Sequence, residues 1–92
     1  MMEINHKYYV TVHGFRTNVQ LYPTGISTSK AIQCTAYWSV INQKKYTIWI
    51  PKSQIEEITT NNDGTFDIDI TEWYVSNMVM QTFLRQNIKR HL

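Results

Sequence analysis

Two aspartates, Asp67 and Asp69, stand two apart in the alternating run Thr65 to Ile70, so on a strand both carboxylates project from one face. With Glu56 or Glu57 beside them, such a pair could hold Mg²⁺ or Ca²⁺ through oxygen ligands. The same spacing also describes a solvated strand face whose charges deter edge association, and the sequence favours that reading. His6, His13 and His91 show no ligand spacing relative to one another or to Cys34, so no zinc site is expected. Ser53 follows Lys52, but a Ser–Lys nucleophile needs a buried lysine, whereas Lys52 follows Pro51 on an apparent turn. Glycines at 14, 25 and 64 are too scattered to build a phosphate-cradling loop. The chain therefore reads as a non-enzyme, with no catalytic residue, metal ligand or cofactor assigned.

Binding chemistry is better represented. Tyr37 and Trp49 fall on the polar faces of two alternating runs, with Lys30, Lys44, Lys45 and Lys52 close in sequence. Exposed aromatics beside basic groups are how small barrels hold single-stranded nucleic acid. The competing reading, which the sequence favours, is that the opposite sheet face is covered by the N-terminal strands or the helix, making both rings core and burying at least two of the three tryptophans. Together with Arg16, these seven residues are the candidate partner-binding set.

Charge is unevenly spread. Residues 1–55 carry Lys7, Arg16, Lys30, Lys44, Lys45 and Lys52 against Glu3 alone, a net +5. Residues 56–72 carry Glu56, Glu57, Asp63, Asp67, Asp69 and Glu72 with no basic residue, a net −6. Arg85, Lys89 and Arg90 return the tail to +3, and the whole chain to +2. A fold can let these blocks neutralise each other, or it can leave a bipolar molecule whose basic side seeks an anionic partner.

These groups must be positioned by one domain, because 92 residues cannot divide a core further. A hydrophobic content of 42% is enough to fold, while charged residues at 17% are sparse and replaced by tyrosine and neutral polar groups. One cysteine forms no internal disulfide, and Cys34 sits in an apolar strand pattern as a small core residue. No signal peptide or membrane span is expected, which points to a reducing cytoplasm.

Strand patterns dominate the first 70 residues. Lys7 to Val12 is β-branched and aromatic, His13-Gly14 breaks it, and Phe15 to Tyr22 is a weaker run with Phe15, Val19 and Leu21 as its apolar members. Pro23-Thr24-Gly25 reads as a turn and Ser27-Thr28-Ser29 as a polar loop. From Lys30 to Ile41, Ile32, Cys34, Ala36, Trp38 and Val40 alternate with polar residues. Asn42-Gln43-Lys44 connects to Lys45–Ile50, with Tyr46, Ile48 and Ile50 inward, and Pro51 ends that strand. Glu56 to Thr60, the turn Asn61-Asn62-Asp63-Gly64, and Phe66, Ile68 and Ile70 complete a second hairpin. Thr71 caps an amphipathic helix from about Glu72 to Arg90 that packs through Trp73, Met80, Leu84 and Ile88. The expected architecture is α+β: a small antiparallel sheet or partly open barrel of four to six strands with one C-terminal helix.

Lys30-Ala31-Ile32, the segment Ile48-Trp49-Ile50-Pro51-Lys52-Ser53-Gln54-Ile55, and Ile70 with Trp73 together resemble a module common in small phage and mobile-element proteins. The likeness covers roughly residues 30–74. Tyr37-Trp38-Ser39-Val40, the N-terminal strands and the C-terminal helix are additions to it. Most such proteins have no assigned activity, so the resemblance implies a setting. In size and basic balance the chain is also similar to anti-CRISPR proteins directed at the Cascade-type surveillance complex. This implies a non-enzymatic inhibitor that binds a host nucleoprotein complex in the host cytoplasm and blocks its nucleic-acid binding. The alternative is an accessory protein that binds single-stranded DNA or RNA.

Overall fold

The computed structural model describes residues 2–38 and 45–78. Six strands form one sheet: β1 (Tyr8–Val12), β2 (Phe15–Ser27), β3 (Ala31–Trp38), β4 (Lys45–Pro51), β5 (Ile55–Thr60) and β6 (Phe66–Ile70). Their spatial order is β4-β3-β2-β1-β6-β5. A helix, α1, follows β6, and its described residues are 72–78. The fold is thus a small mixed α+β domain. The sheet is not purely antiparallel as expected: β1 runs parallel to β6, with Tyr8 opposite Phe66 and Thr11 opposite Asp69. Consecutive hairpins account for the other ladders, and only the closing contact between the first and last strands has to be parallel.

β4 and β5 are the two edges of this order, yet only a 3-10 turn, Lys52–Gln54, joins them. Laid flat, six strands would put their edges about 24 Å apart. Four peptide steps from Pro51 to Ile55 reach roughly 14 Å at most. The sheet must therefore curl, bringing one end of each edge strand to the same corner. That corner is the Trp49–Ile55 segment. Ile50 is fully buried there, the Gln54 carbonyl accepts from Thr71 N–H at 3.0 Å, and the Gln54 side chain accepts from Thr71 Oγ1 at 2.5 Å. Lys52 N–H reaches the Lys30 carbonyl at 2.8 Å. The Trp49–Ile55 segment is thus a structural clasp.

Period-two alternation sends Tyr8, Val10, Val19, Leu21, Ile32, Cys34, Ala36, Trp38, Ile50, Ile68 and Ile70 to one side of the curled sheet, where they form a single core. Met2 from the N-terminal segment and Val75 and Met78 from α1 cover it. Fully burying a large aliphatic side chain of this kind contributes about 1.5–3 kcal/mol. Tyr8 stacks on Phe66 at 4.6 Å, which fixes the parallel register from inside.

Four expectations change. Pro23, Thr24 and Gly25 lie inside β2 instead of forming a turn. The β1 ladder begins at Tyr8 opposite Leu21, so from Pro23 onward one side of β2 has no β1 partner and the missing N–H costs nothing there. Phe15 is 79% exposed, on the rim beside the His13-Gly14 turn. Trp73 is 68% exposed, and Tyr74, Val75 and Met78 face the sheet in its place. The Tyr74 hydroxyl donates to the Trp49 carbonyl, and this sets the phase of α1 and rotates its predecessor outward. Of the three tryptophans only Trp38 is core, so the expectation of two buried rings fails as well. Val40, the Asn42-Gln43-Lys44 connection, Met80, Leu84, Ile88 and the helix beyond residue 78 lie outside the described residues.

Candidate partner-contact face

The outer, convex face of the sheet is assembled by register. One row across it reads Lys45, Tyr37, Gln20, Tyr9, Asp67 and Thr59. The next holds Tyr22, Thr35 and Thr47, and beyond it Gln33 pairs with Trp49. Tyr22, Tyr37 and Trp49 therefore surround Thr35 on three adjacent strands. Tyr22 and Tyr37 are diagonal neighbours, a relation that places residues about 7–8 Å apart, while Trp49 lies four positions further along β4 than Lys45, the partner of Tyr37. Trp49 is 43% exposed, Lys45 and Thr47 are exposed, and Tyr22 and Tyr37 are half-buried by their neighbours. Thr24 Oγ1 donates to the Gln33 side-chain carbonyl at 2.8 Å, which ties that amide to β2.

The far end of this face is occupied differently. The Arg16 guanidinium lies 4.1 Å from the Tyr9 ring centre, and its Nε donates to Asp67 at 3.1 Å. Lys7 Nζ stands 5.6 Å from the same ring. Asp69 accepts from Thr11 Oγ1 at 2.6 Å and from Gly14 N–H at 3.0 Å, and those bonds hold its carboxyl below the ordinary aspartate range. Thr11, Glu57, Asp67 and Asp69 line a shallow acidic depression of about 340 Å³. Both aspartates are engaged as acceptors within the fold. Among the described residues no group of three or more His, Cys, Asp or Glu is arranged to hold a metal ion.

The seven candidate residues separate into groups. Tyr37 and Lys45 are direct partners, and Trp49 lies on the same face two positions beyond Thr47. Arg16 shares the outer face but is tied to Asp67 and Tyr9. Lys30 and Lys52 meet through their backbones at the clasp, just beyond Trp49 and at the opposite end of β4 from Lys45. Lys44 lies outside the described residues. Tyr9, Tyr22, Gln20 and Gln33 were not singled out from sequence, although Tyr9 stands in alternation with the buried Tyr8 and Val10. The two charge blocks meet at Arg16–Asp67 and His13–Glu72, which with His6–Glu3 are the ion pairs among the described residues, and no lysine takes part in them.

Cys34 is fully buried, and burial pushes its thiol up to about 12. It has no thiolate at neutral pH. No helix among the described residues is long and apolar enough to cross a membrane. Compared with known protein families, characterised proteins and solved structures, the chain matches none.

Proposed function

We propose that this chain is a non-enzymatic binding protein, an anti-CRISPR-like inhibitor of phage or mobile-element origin. In this reading it acts in the host cytoplasm, where it lays its outer sheet face on a host nucleoprotein complex of the Cascade type and obstructs nucleic-acid binding. The curled sheet is read as a partly open barrel, a shape that stiffens the convex face. The observation that carries the proposal is the grouping of Tyr22, Tyr37 and Trp49 around Thr35, with Lys45, which joins no ion pair among the described residues, beside Tyr37. Rigid aromatic rings supply contact area at little entropy cost, and a strand-mounted lysine steers the approach to an anionic partner. A labelled protein titrated into a purified, guide-loaded Cascade-type complex tests this by anisotropy. Trp49→Ala and Lys45→Glu should each weaken binding at least tenfold and restore target-DNA loading. Binding indifferent to both substitutions would remove the face from the interface.

The same aromatic grouping favours a second reading, an accessory protein for single-stranded DNA or RNA, because bases stack on such rings whatever their sequence. Steeply salt-dependent binding to free oligo(dT) or oligo(U), with no protein partner present, would select it.

A further inference from the structure

Phe15 and Trp73 are the two most exposed large apolar side chains among the described residues, at 79% and 68%. Both are mounted on ordered elements. Phe15 pairs with Val12 immediately after a tight turn in which His13 and Gly14 take φ of 52° and 83°. Trp73 sits in the first turn of α1, which Thr71 caps, and its carbonyl accepts from Asn77 Nδ2 at 3.0 Å. The hairpin tip and the helix start touch through His13 Nε2 and Glu72, 3.6 Å apart and both well exposed, so the two rings occupy one end of the molecule. The Tyr74 hydroxyl, next in sequence to Trp73, reaches the Trp49 carbonyl, so this end adjoins the Trp49 corner of the sheet, but its acidic groups set it apart from the Lys45 end of β4.

Exposed rings attract partners, and the surrounding charge says which. Among the described residues the flanking ionisable side chains are His13, Glu72 and Asp69, and the neighbouring Arg16 is committed to Asp67. An aromatic face beside a carboxylate is complementary to a guanidinium, which stacks on the ring while its N–H groups pair with the acid. The chain already contains one complete example, with Arg16 over Tyr9 and bonded to Asp67. Among the described residues, the Phe15–Trp73 end presents exposed rings and a Glu72 carboxylate that faces only a histidine, His13, with no arginine or lysine paired to it.

We infer that the end formed by Phe15, Glu72 and Trp73 is a docking site for an arginine-bearing segment of a partner protein, separate from the outer sheet face. Arginine is preferred to lysine there because only the planar guanidinium stacks and pairs at once.

The test is a titration of ¹⁵N-labelled protein with tetra-arginine, tetra-lysine and tetra-citrulline peptides, read on the tryptophan indole N–H signals. Tetra-arginine should move the Trp73 indole and the Glu72 amide while leaving Trp38 still, tetra-lysine should act at least threefold more weakly, and tetra-citrulline should have no effect. Glu72→Gln should weaken the response several-fold, and Trp73→Ser and Phe15→Ser should each reduce it, with stability unchanged because all three side chains are exposed. Lys45→Glu should leave it intact even if it abolishes binding to the nucleoprotein complex. Equal responses to arginine and lysine, shifts confined to the depression at Asp67 and Asp69, or no response at millimolar tetra-arginine would each overturn the inference.

Discussion

Thr11 Oγ1 donates a 2.6 Å hydrogen bond to the carboxylate of Asp69, 58 residues away, across the parallel ladder that joins β1 to β6. Thr11 is only 3% exposed, so the bond works where water competes poorly. Gly14 N–H donates to the same carboxylate oxygen, which couples the β1–β2 turn to the last strand.

The pH dependence of this link has a definite sign. The Thr11 hydroxyl first, then the Gly14 amide, hold the Asp69 pKa below its ordinary 3.8, with burial opposing them. A folded-state pKa below the unfolded one stabilises the fold above about pH 4, and that contribution is lost as pH falls through the depressed value. Asp63, bonded by Thr65 through its hydroxyl and amide, shifts the same way. Thr11→Val should cost about 1.5–3 kcal/mol at neutral pH, the range for a bond to a charged acceptor. Urea unfolding at descending pH should show the gap between wild type and variant closing below the ordinary aspartate pKa. A gap that stays constant down to pH 2 would mean the bond does not depend on the ionised carboxylate.

At the alkaline end Cys34 acts in the opposite sense. Burial raises its thiol from 9.0 to about 12, so the folded state keeps a proton that the unfolded chain releases. The resulting stability is intact below pH 9 and declines as pH rises toward 12. Tyr8 and Tyr74, both raised chiefly by burial, extend the same trend above pH 10. Native protein should resist Ellman's reagent at neutral pH and become reactive only at the global unfolding rate. Fast labelling without unfolding would place the thiol near the surface and contradict the core arrangement.

Trp38 is 2% exposed, makes an edge-on contact with Tyr46 at 6.0 Å, and its buried indole N–H has no acceptor among the described residues. An unsatisfied buried donor costs about 1–3 kcal/mol. Trp38→Ala should destabilise by about 3–5 kcal/mol through the cavity it leaves. Trp38→Phe, which keeps a ring and removes the orphan donor, should cost under about 2 kcal/mol, because the relieved penalty offsets part of the lost packing. Chemical denaturation of the two variants separates these values. A Trp38→Phe loss well above about 2 kcal/mol would show that the N–H is satisfied in solution.

What the sequence displayed and what it concealed divide along a physical line. The alternation of Ile32, Cys34, Ala36 and Trp38, and of Phe66, Ile68 and Ile70, is a local pattern, and those strands stand with the expected faces inward. Thr71 as a cap is local too, through its hydroxyl and the Tyr74 amide. The parallel pairing of β1 with β6 depends on residues far apart, and nothing in either segment announces it. The continuation of β2 through Pro23 follows from where β1 begins, again a tertiary fact. On the candidate face, Tyr37, Lys45 and Trp49 were legible because their strands alternate cleanly. Tyr22 was not, because it precedes a proline that local rules read as a turn. The outward phase of Trp73 is set by the Tyr74 contact with β4, which no helical periodicity encodes.

Lys45 gives the sharpest separation of folding from binding. It is exposed on edge strand β4, opposite Tyr37, and belongs to no ion pair among the described residues. Removing an exposed, unpaired charge changes stability by only a few tenths of a kcal/mol, so Lys45→Glu should unfold within about 2 °C of wild type. Charge reversal on a steering surface acts mainly on association, so the on-rate for the nucleoprotein complex should fall several-fold at low salt, with the loss shrinking as salt screens it. Trp49→Ala should do the reverse: a ring that contributes contact area holds the complex together, and its loss should appear in the off-rate at every salt concentration. Chelators should leave both rates unchanged. Surface plasmon resonance across a salt series reads all of these at once. A Lys45→Glu effect carried by dissociation alone, or a Trp49→Ala effect that vanishes in high salt, would contradict the division of labour drawn from the outer face.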